Sequence, residues 1–444
     1  MTRGIAAAVA VAALAGAGCG PRDRSAQKAP RTHVLATWAQ VTDAHVVDEE
    51  SPARLEMLDR LGPPFTSAFR PQEALAGQVL AAAVRAIDRR RPDAVVVTGD
   101  LIDNAQENEL DEALAVLHGG RVDPNSGRPG YQGVQSASNA DPFYYRPDVD
   151  PPRHRGLLGR AERPFESPGL RVPWYPVVGN HDLLVQGNLA PTLLTNAVAT
   201  GTRKLVSLDR DALELARRRG LSRASVDAAL SGGLPGRTRP VAADPRRREL
   251  DAAELLRRLR TASGHGGSGP LLDYAFDIGR VRAIVLDTIR RDAGAGGVVR
   301  PMQIAWLRRE LRHAGGRPVV VFSHTPLGSC TGGGRALALL AREPNAVAAV
   351  AGDTHRNSIE RRGRLVLVTT ASLADWPQQA RMFRLSERGG NLVFDTWTIQ
   401  PEQTPLARIS HELAEVDYQG GRPAGDAGVA SDRRARFVIP RARR

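Results

Sequence analysis

The sequence predicts a layered α/β fold, on three observations. Short runs that are apolar at nearly every position alternate with segments of helical periodicity. The clearest run, Ala94-Val95-Val96-Val97-Thr98, shows no polar face, as expected of a strand covered on both sides. Five such runs each end in a short motif of Asp, Asn or His, which would gather polar side chains along one edge of a sheet.

Taken in order, His33 to Val41 reads as the first strand and ends at Thr42-Asp43. Leu75, Val79, Leu80, Ala83, Val84 and Ile87 then recur at helical spacing, and Arg89–Arg91 with Pro92 stop that helix. The strand at 94–98 follows. The stretch from about 119 to 171 is rich in Gly, Pro, Ser, Asp and Arg and reads as a long irregular loop. Trp174 to Val178 is the next strand. Residues 189–270 read as an insertion with helical pieces at Asp209–Arg219 and Asp251–Arg260 and a flexible link at Gly264–Gly269. Leu272–Asp277 and Val281–Asp287 read as two strands joined at Gly279-Arg280. Helices at 302–313 and 334–342 and strands at 319–323, 347–351, 365–369 and 391–399 complete the pattern. The final ~35 residues carry few apolar positions and are expected to be poorly ordered.

The domain organisation that follows is a leader at 1–19, a polar tether at 20–32, a catalytic domain at 33–405 and a basic tail at 406–444. Insertions occupy about 105–172 and 189–270 of that domain. In the leader, Arg3 precedes the apolar run Ile5–Ala15, which is too short to span a bilayer and reads as the core of a signal peptide. Gly16-Ala17-Gly18-Cys19 resembles a bacterial lipoprotein cleavage site with Cys19 acylated, although Gly16 stands where Leu is usual. The expectation is an exported protein, extracellular or envelope-associated, whose membrane contact would be a lipid at Cys19. The chain has two cysteines, so an acylated Cys19 leaves Cys330 alone and no disulfide.

The formal net charge is +13, which favours anionic partners such as phosphates, nucleic acid or an acidic envelope. The Arg runs are scattered and no nucleic-acid-binding motif accompanies them, so no specific nucleic-acid site is expected.

The chemistry-bearing motifs are Asp43-Ala44-His45, Gly99-Asp100-Leu101-Ile102-Asp103-Asn104, Gly179-Asn180-His181-Asp182, His324, and Gly352-Asp353-Thr354-His355. Carboxylates, an amide oxygen and imidazoles suit divalent ions such as Mn, Fe or Zn, and the absence of cysteine argues against a structural zinc site. Two ions about 3.5–4 Å apart can clamp the attacking and leaving oxygens of an in-line phosphoryl transfer. Taken singly, each residue has a plainer reading. Asp100 could cap a helix, Asn180 could sit in a turn and His324 could be a satisfied core histidine.

This ordered set resembles the calcineurin-like metallophosphoesterase superfamily, through D-x-H, G-D-x-x-D, G-N-H-D, a lone His after a strand and a near match to G-H-x-H. The stretch Thr370–Arg381, with Ala374-Asp375-Trp376-Pro377-Gln378-Gln379, is similar to a subgroup of bacterial secreted members. The resemblance implies a four-layer α/β/β/α sandwich with long loop and helical insertions, and hydrolysis of phosphomonoesters or phosphodiesters at a dinuclear centre. It implies that Asp43, His45 and His355 bind the first metal, that Asp100 bridges, and that Asn180 and His324 bind the second. A metal-bridging hydroxide would attack phosphorus. His181 would act as general acid, oriented by Asp103. Asp353 stands where the family carries His. Direct coordination by Asp353 would make the site harder and favour Mn or Mg, whereas a role behind the ligands would weaken the second ion's hold.

Extracellular nucleotides or envelope phosphodiesters are the expected substrates. The rival reading is a catalytically weak or inactive relative that binds anionic envelope polymers; an intact His181 and Asp103 argue against it. Asp48, Glu49 and Glu50 read as a solvated acidic turn, and Tyr144-Tyr145-Arg146 with Trp174-Tyr175 as packing between insertion and core or as a stacking surface for a base.

Overall fold

The structure is a computed structural model, which describes residues 31–61, 68–212, 214, 223–231, 233–292, 294–417 and 425–441. The leader, Cys19, most of the tether and most of the helical piece expected at Asp209–Arg219 lie outside the described residues.

The strands are β1 (Thr32–Val41), β2 (Ala94–Thr98), β3 (Gly120–Val122), β4 (Phe165–Ser167), β5 (Trp174–Val177), β6 (Arg203–Leu208), β7 (Gly236–Pro240) and β8 (Tyr274–Ile278). They continue as β9 (Val281–Val285), β10 (Val319–Phe322), β11 (Ala346–Ala351), β12 (Ser358–Arg362), β13 (Leu365–Thr369), β14 (Ala380–Arg388), β15 (Asn391–Ile399) and β16 (Arg434–Pro440). Twelve of these form two six-stranded mixed sheets, ordered β16-β15-β14-β1-β2-β5 and β12-β13-β11-β10-β9-β8. The parallel centres, β1-β2-β5 in one sheet and β9-β10-β11-β13 in the other, carry the strands that read as wholly apolar. All five residues of β2, all four of β10 and all six of β11 are buried.

The inner faces of the sheets meet around Trp38, whose ring stacks on Phe383 at 5.1 Å and meets Phe322 of the other sheet edge-on at 6.4 Å. Helices α1 (Ala76–Asp88) and α2 (Glu107–His118) bury Val79, Leu80, Val84, Ile87, Leu110 and Leu117 in this same core. On the far side, helices Pro301–His313 and Gly333–Arg342 bury Leu307, Leu311, Leu337 and Leu340 against β9, β10 and β11. The result is the expected α/β/β/α layering.

Three expectations are corrected. Helix α2 lies inside the region read as the start of the first insertion, and β3 pairs with β4 within the stretch read as irregular. The tail expected to be poorly ordered from 406 onward includes the last turns of helix Pro405–Glu415 and β16, which pairs along its length with β15. An edge strand needs one buried face only, and Ile439 with partly buried Phe437 provides it. Asp48 and Glu50 are buried rather than solvated, because Arg247 of the second insertion reaches Asp48 Oδ2 with Nε at 2.7 Å and lies 3.6 Å from Glu50. Tyr144 packs edge-on against Phe69, and Tyr175 stacks on Phe276 at 3.6 Å, so these aromatics join insertion to core or sheet to sheet. No helix among the described residues is long and apolar enough to cross a membrane.

Candidate metal centre

The residues that follow β1, β2, β5, β10 and β11 converge. The turns that deliver them are sharp: Asp43, His45, Asp100, Asp353 and His355 have φ of 51°, 46°, 48°, 69° and 55°. Left-handed backbone at a residue with a side chain costs of order 1–3 kcal/mol and persists only where the surroundings enforce it. Here backbone amides enforce it, with Asp43 N donating to Gly99 O and His45 N to Asp100 O, both at 3.0 Å. Gly99, at φ 91°, must be glycine, because a Cβ there would stand 2.6 Å from His324 Nδ1 and 2.7 Å from Gly179 N.

One group of ligand atoms joins Asp43, His45 and His355, and another joins Asp43, Asp100 and His324, each within 4.8 Å. His355 Nε2 lies 3.4 Å from Asp43 Oδ1 and 3.2 Å from His45 Nε2. Asp100 Oδ2 lies between the groups, 3.7 Å from His45 Nε2 and 3.3 Å from His324 Nε2. Asn180 Oδ1 and Asp353 Oδ1 approach the same His324 Nε2 at 3.1 and 3.4 Å. All seven residues expected as ligands are therefore gathered in one place. Asp353 is the most open of its carboxylates, with a side chain 23% exposed, and its backbone N–H donates to Asp43 at 3.2 Å. His181 and Asp103 adjoin the group. Asp103 Oδ1 takes His45 Nδ1 at 2.7 Å and His181 Nδ1 at 3.0 Å, and His181 N donates to Asp100 Oδ1 at 2.8 Å.

The electrostatics follow from burial and charge. Burial resists charge on His181, but Asp100 and Asp103 outweigh it and raise its pKa. Burial, helped by His181 and Arg70, pulls His45 down to about 4. Burial also opposes charge on His355, yet Asp375 and Asp43 push it up to about 10. Asp103 stays well below the usual carboxylate range despite burial, because Arg54 and His181 face it.

These donors fit a cation. His45 and His355 each give Nδ1 to a carboxylate, Asp103 at 2.7 Å and Asp375 at 2.5 Å. With both Nδ1 atoms so held, Nε2 is the ring nitrogen each histidine has left for a metal ion, and the two Nε2 atoms lie 3.2 Å apart beside Asp43 and Asp100. A chain with net charge +13 has here concentrated Asp43, Asp100, Asp103, Asp353 and Asp375.

Sequence reasoning missed several supports. Asp182 accepts from Leu101 N at 2.8 Å and Gly179 N at 2.7 Å, tying two motifs together. Glu109 accepts from Asp48 N and from the amides of Asn104. Arg54 and Arg70, both buried, pair with Asp103 and Asp375. Asp182 and Asp375 stood within stretches already singled out. Arg54 and Arg70 carried no signal among 61 basic residues. Arg356 turns to Asp426, 3.3 Å from Nε.

No curated protein matches the chain at a significant level. Among solved structures it is similar to a dimetal phosphatase from Danio rerio, at 13% identity and TM-score 0.41, covering 83% of this chain and 99% of that one. It is also similar to GAP50 of Plasmodium, at 10% identity and TM-score 0.35, covering 86% and 95%. A putative 5'-nucleotidase from Staphylococcus aureus follows at 14% identity and TM-score 0.32, covering 85% of this chain and 58% of that one. At these TM-scores the likenesses add no argument of their own. The profile of the calcineurin-like phosphoesterases matches residues 39–357, most of the chain and all five motifs, and the chain therefore belongs to that family of phosphate-ester hydrolases.

Proposed function

We propose that the chain hydrolyses phosphomonoesters or phosphodiesters at a centre for two divalent ions. The observation that carries this is Asp100, whose Oδ2 sits between His45 Nε2 and His324 Nε2 at 3.7 and 3.3 Å, where a bridging carboxylate belongs. Asp43, His45, Asp100 and His355 would hold one ion, and Asp100, Asn180, His324 and Asp353 the other. What bound ions supply is Lewis-acid charge at the phosphoryl oxygens and a more acidic water for attack. The all-oxygen and nitrogen donor set, with Asp353 in it, points to Mn or Mg ahead of Zn, with Fe also suited to the imidazoles.

The protein's own part is proton transfer and orientation. His181 keeps its Nδ1 proton on Asp103, so the proton offered to the leaving alkoxide is the second one, which Nε2 carries in the doubly protonated ring. Asp100 and Asp103 raise the pKa of His181 and so favour that doubly protonated form. Asp103 holds the ring through Nδ1 and stabilises its charged form, while Arg54 keeps Asp103 ionised.

The basic balance and the leader favour an exported enzyme acting on extracellular nucleotides or envelope phosphodiesters; export, and a lipid at Cys19, rest on the sequence alone. The test is hydrolysis of bis-p-nitrophenyl phosphate and p-nitrophenyl phosphate by the mature chain, stripped of metal and refilled with Mn, Zn or Mg. Turnover restored by metal, and lost in Asp100→Ala and His181→Ala, supports the reading. A folded protein that binds metal and turns over neither ester favours a binding role for anionic polymers instead.

A further inference from the structure

The two histidines assigned to the first ion are held from behind by a closed ring of hydrogen bonds, all but one link of it between side chains. His355 Nδ1 donates to Asp375 Oδ2 at 2.5 Å, and Asp375 Oδ1 accepts Arg70 Nε at 2.7 Å. The Arg70 backbone N–H donates to Glu73 Oε2 at 2.9 Å, and the same oxygen accepts Arg54 Nη2 at 2.7 Å. Arg54 Nη1 bonds Asp103, and Asp103 Oδ1 accepts His45 Nδ1 at 2.7 Å. The ring closes where His45 Nε2 and His355 Nε2 face each other at 3.2 Å. The Arg54 and Arg70 side chains are 0% and 2% exposed, while His355 and Asp375 are 18% and 25% exposed at the open side of the ring.

We propose that Asp375, held by Arg70, is a positioning residue for the first metal ion. Its carboxylate takes the Nδ1 proton of His355, fixes the tautomer that presents Nε2, and raises the basicity of that nitrogen. Arg70 holds Asp375 in the rotamer that reaches His355 and keeps it ionised. His324 differs: its Nδ1 donates to the backbone carbonyl of Thr98 at 2.8 Å, so the second ion's histidine has a neutral partner. The assignment rests on the two-ion reading of the site. It places the carboxylate that supports His355 some twenty residues beyond it, and the guanidinium that holds that carboxylate in the segment before α1.

The test is titration of the metal-free full chain with Mn²⁺ by calorimetry, with metal content measured after desalting. Wild type is compared with Asp375→Ala, Asp375→Asn, Arg70→Lys, Arg70→Met and His181→Ala. The expected result is two ions in wild type and His181→Ala, and one ion bound about 10–100-fold more weakly in Asp375→Ala. Asp375→Asn keeps the size and the hydrogen-bond acceptor, so it is expected to fold and to fall between. Arg70→Lys retains a cation and is expected to restore most of the affinity that Arg70→Met loses. In the Asp375 and Arg70 variants, kcat recovers at saturating Mn²⁺ while KM for the ester is unchanged; His181→Ala keeps both ions and does not recover kcat. Equal Mn²⁺ affinity in wild type, Asp375→Ala and Asp375→Asn overturns the positioning role and leaves the two-ion reading standing. Uptake of no ion by folded wild type overturns both.

Discussion

Gly187 offers a test of how tightly His181, the proposed general acid, is held. It has φ 70°, and a Cβ built on it would lie 2.4 Å from His181 Nε2, His181 Cδ2 and Asn180 Nδ2. Ordinary contact begins near 3.4 Å, so Gly187→Ala must push the imidazole, the asparagine or the loop by about 1 Å. The imidazole is restrained: Nδ1 lies 3.0 Å from the Asp103 carboxylate and 3.2 Å from the Asp103 carbonyl, and Asp100 holds the backbone N–H at 2.8 Å. Asn180 is fixed between His324 and the Gly187 carbonyl, 3.1 Å from each. A misplacement of about 1 Å at a reacting group costs roughly 10²-fold in rate. The left-handed backbone adds about 1–2 kcal/mol of strain for alanine, which acts on stability alone. Gly363→Ala separates the two effects, since Gly363 has φ 62° and open space where its Cβ would go. The assay is kcat for bis-p-nitrophenyl phosphate at saturating Mn²⁺, with urea unfolding of each variant. The expected outcome is a loss of about 1–2 kcal/mol in Gly363→Ala and a larger one in Gly187→Ala, with kcat reduced about 10²-fold in Gly187→Ala only. Wild-type kcat in Gly187→Ala, or an equal fall in Gly363→Ala, would refute the reasoning.

Two further outcomes follow from buried charge. Lys204 and Glu56 are both 0% exposed and pair at 2.7 Å, with Lys204 Nζ also donating to Ser51 O, so the second insertion is pinned to the segment that carries Arg54. Lys204→Met is expected to cost about 3–5 kcal/mol in urea unfolding, and Lys204→Met with Glu56→Gln less than that; a loss below about 1 kcal/mol contradicts the pairing. Burial pushes Glu249 up to about 8 from its ordinary 4.5, so the folded protein holds a proton that the unfolded chain releases. That contribution to stability is present below the ordinary glutamate range, declines as pH rises toward about 8, and levels off above it. Glu249→Gln is expected to flatten the fall of stability between pH 5 and 9, by at most about 1.4 kcal/mol per pH unit at its steepest, and an unchanged pH slope in thermal unfolding would count against it.

How much was legible in the sequence depended on whether the determining contacts are local. The strands β2, β10 and β11 announce themselves because burial on both faces selects apolar residues at nearly every position. β14 was hidden by its arginines. Arg381 is 0% exposed yet tolerated, because Thr370, Thr396 and Asn357 supply oxygens from other elements. β16 was hidden for a similar reason: an Arg-rich edge strand resembles a solvated tail until a partner strand is known. The nine site residues were readable because each follows a strand within two to five positions and carries a side chain that a plain turn does not need. Arg54, Arg70 and Asp375 were not, because a guanidinium that meets a carboxylate 49 or 305 positions away leaves no local pattern.

Anomalous diffraction from crystals soaked in Mn²⁺ tests the central claim most directly. The account predicts two peaks per chain, one bounded by Asp43, His45, Asp100 and His355 and the other by Asp100, Asn180, His324 and Asp353, about 3.5–4 Å apart with Asp100 in contact with both. No peak among these residues, or a single peak that leaves Asn180 and His324 bonded only to each other, would contradict it.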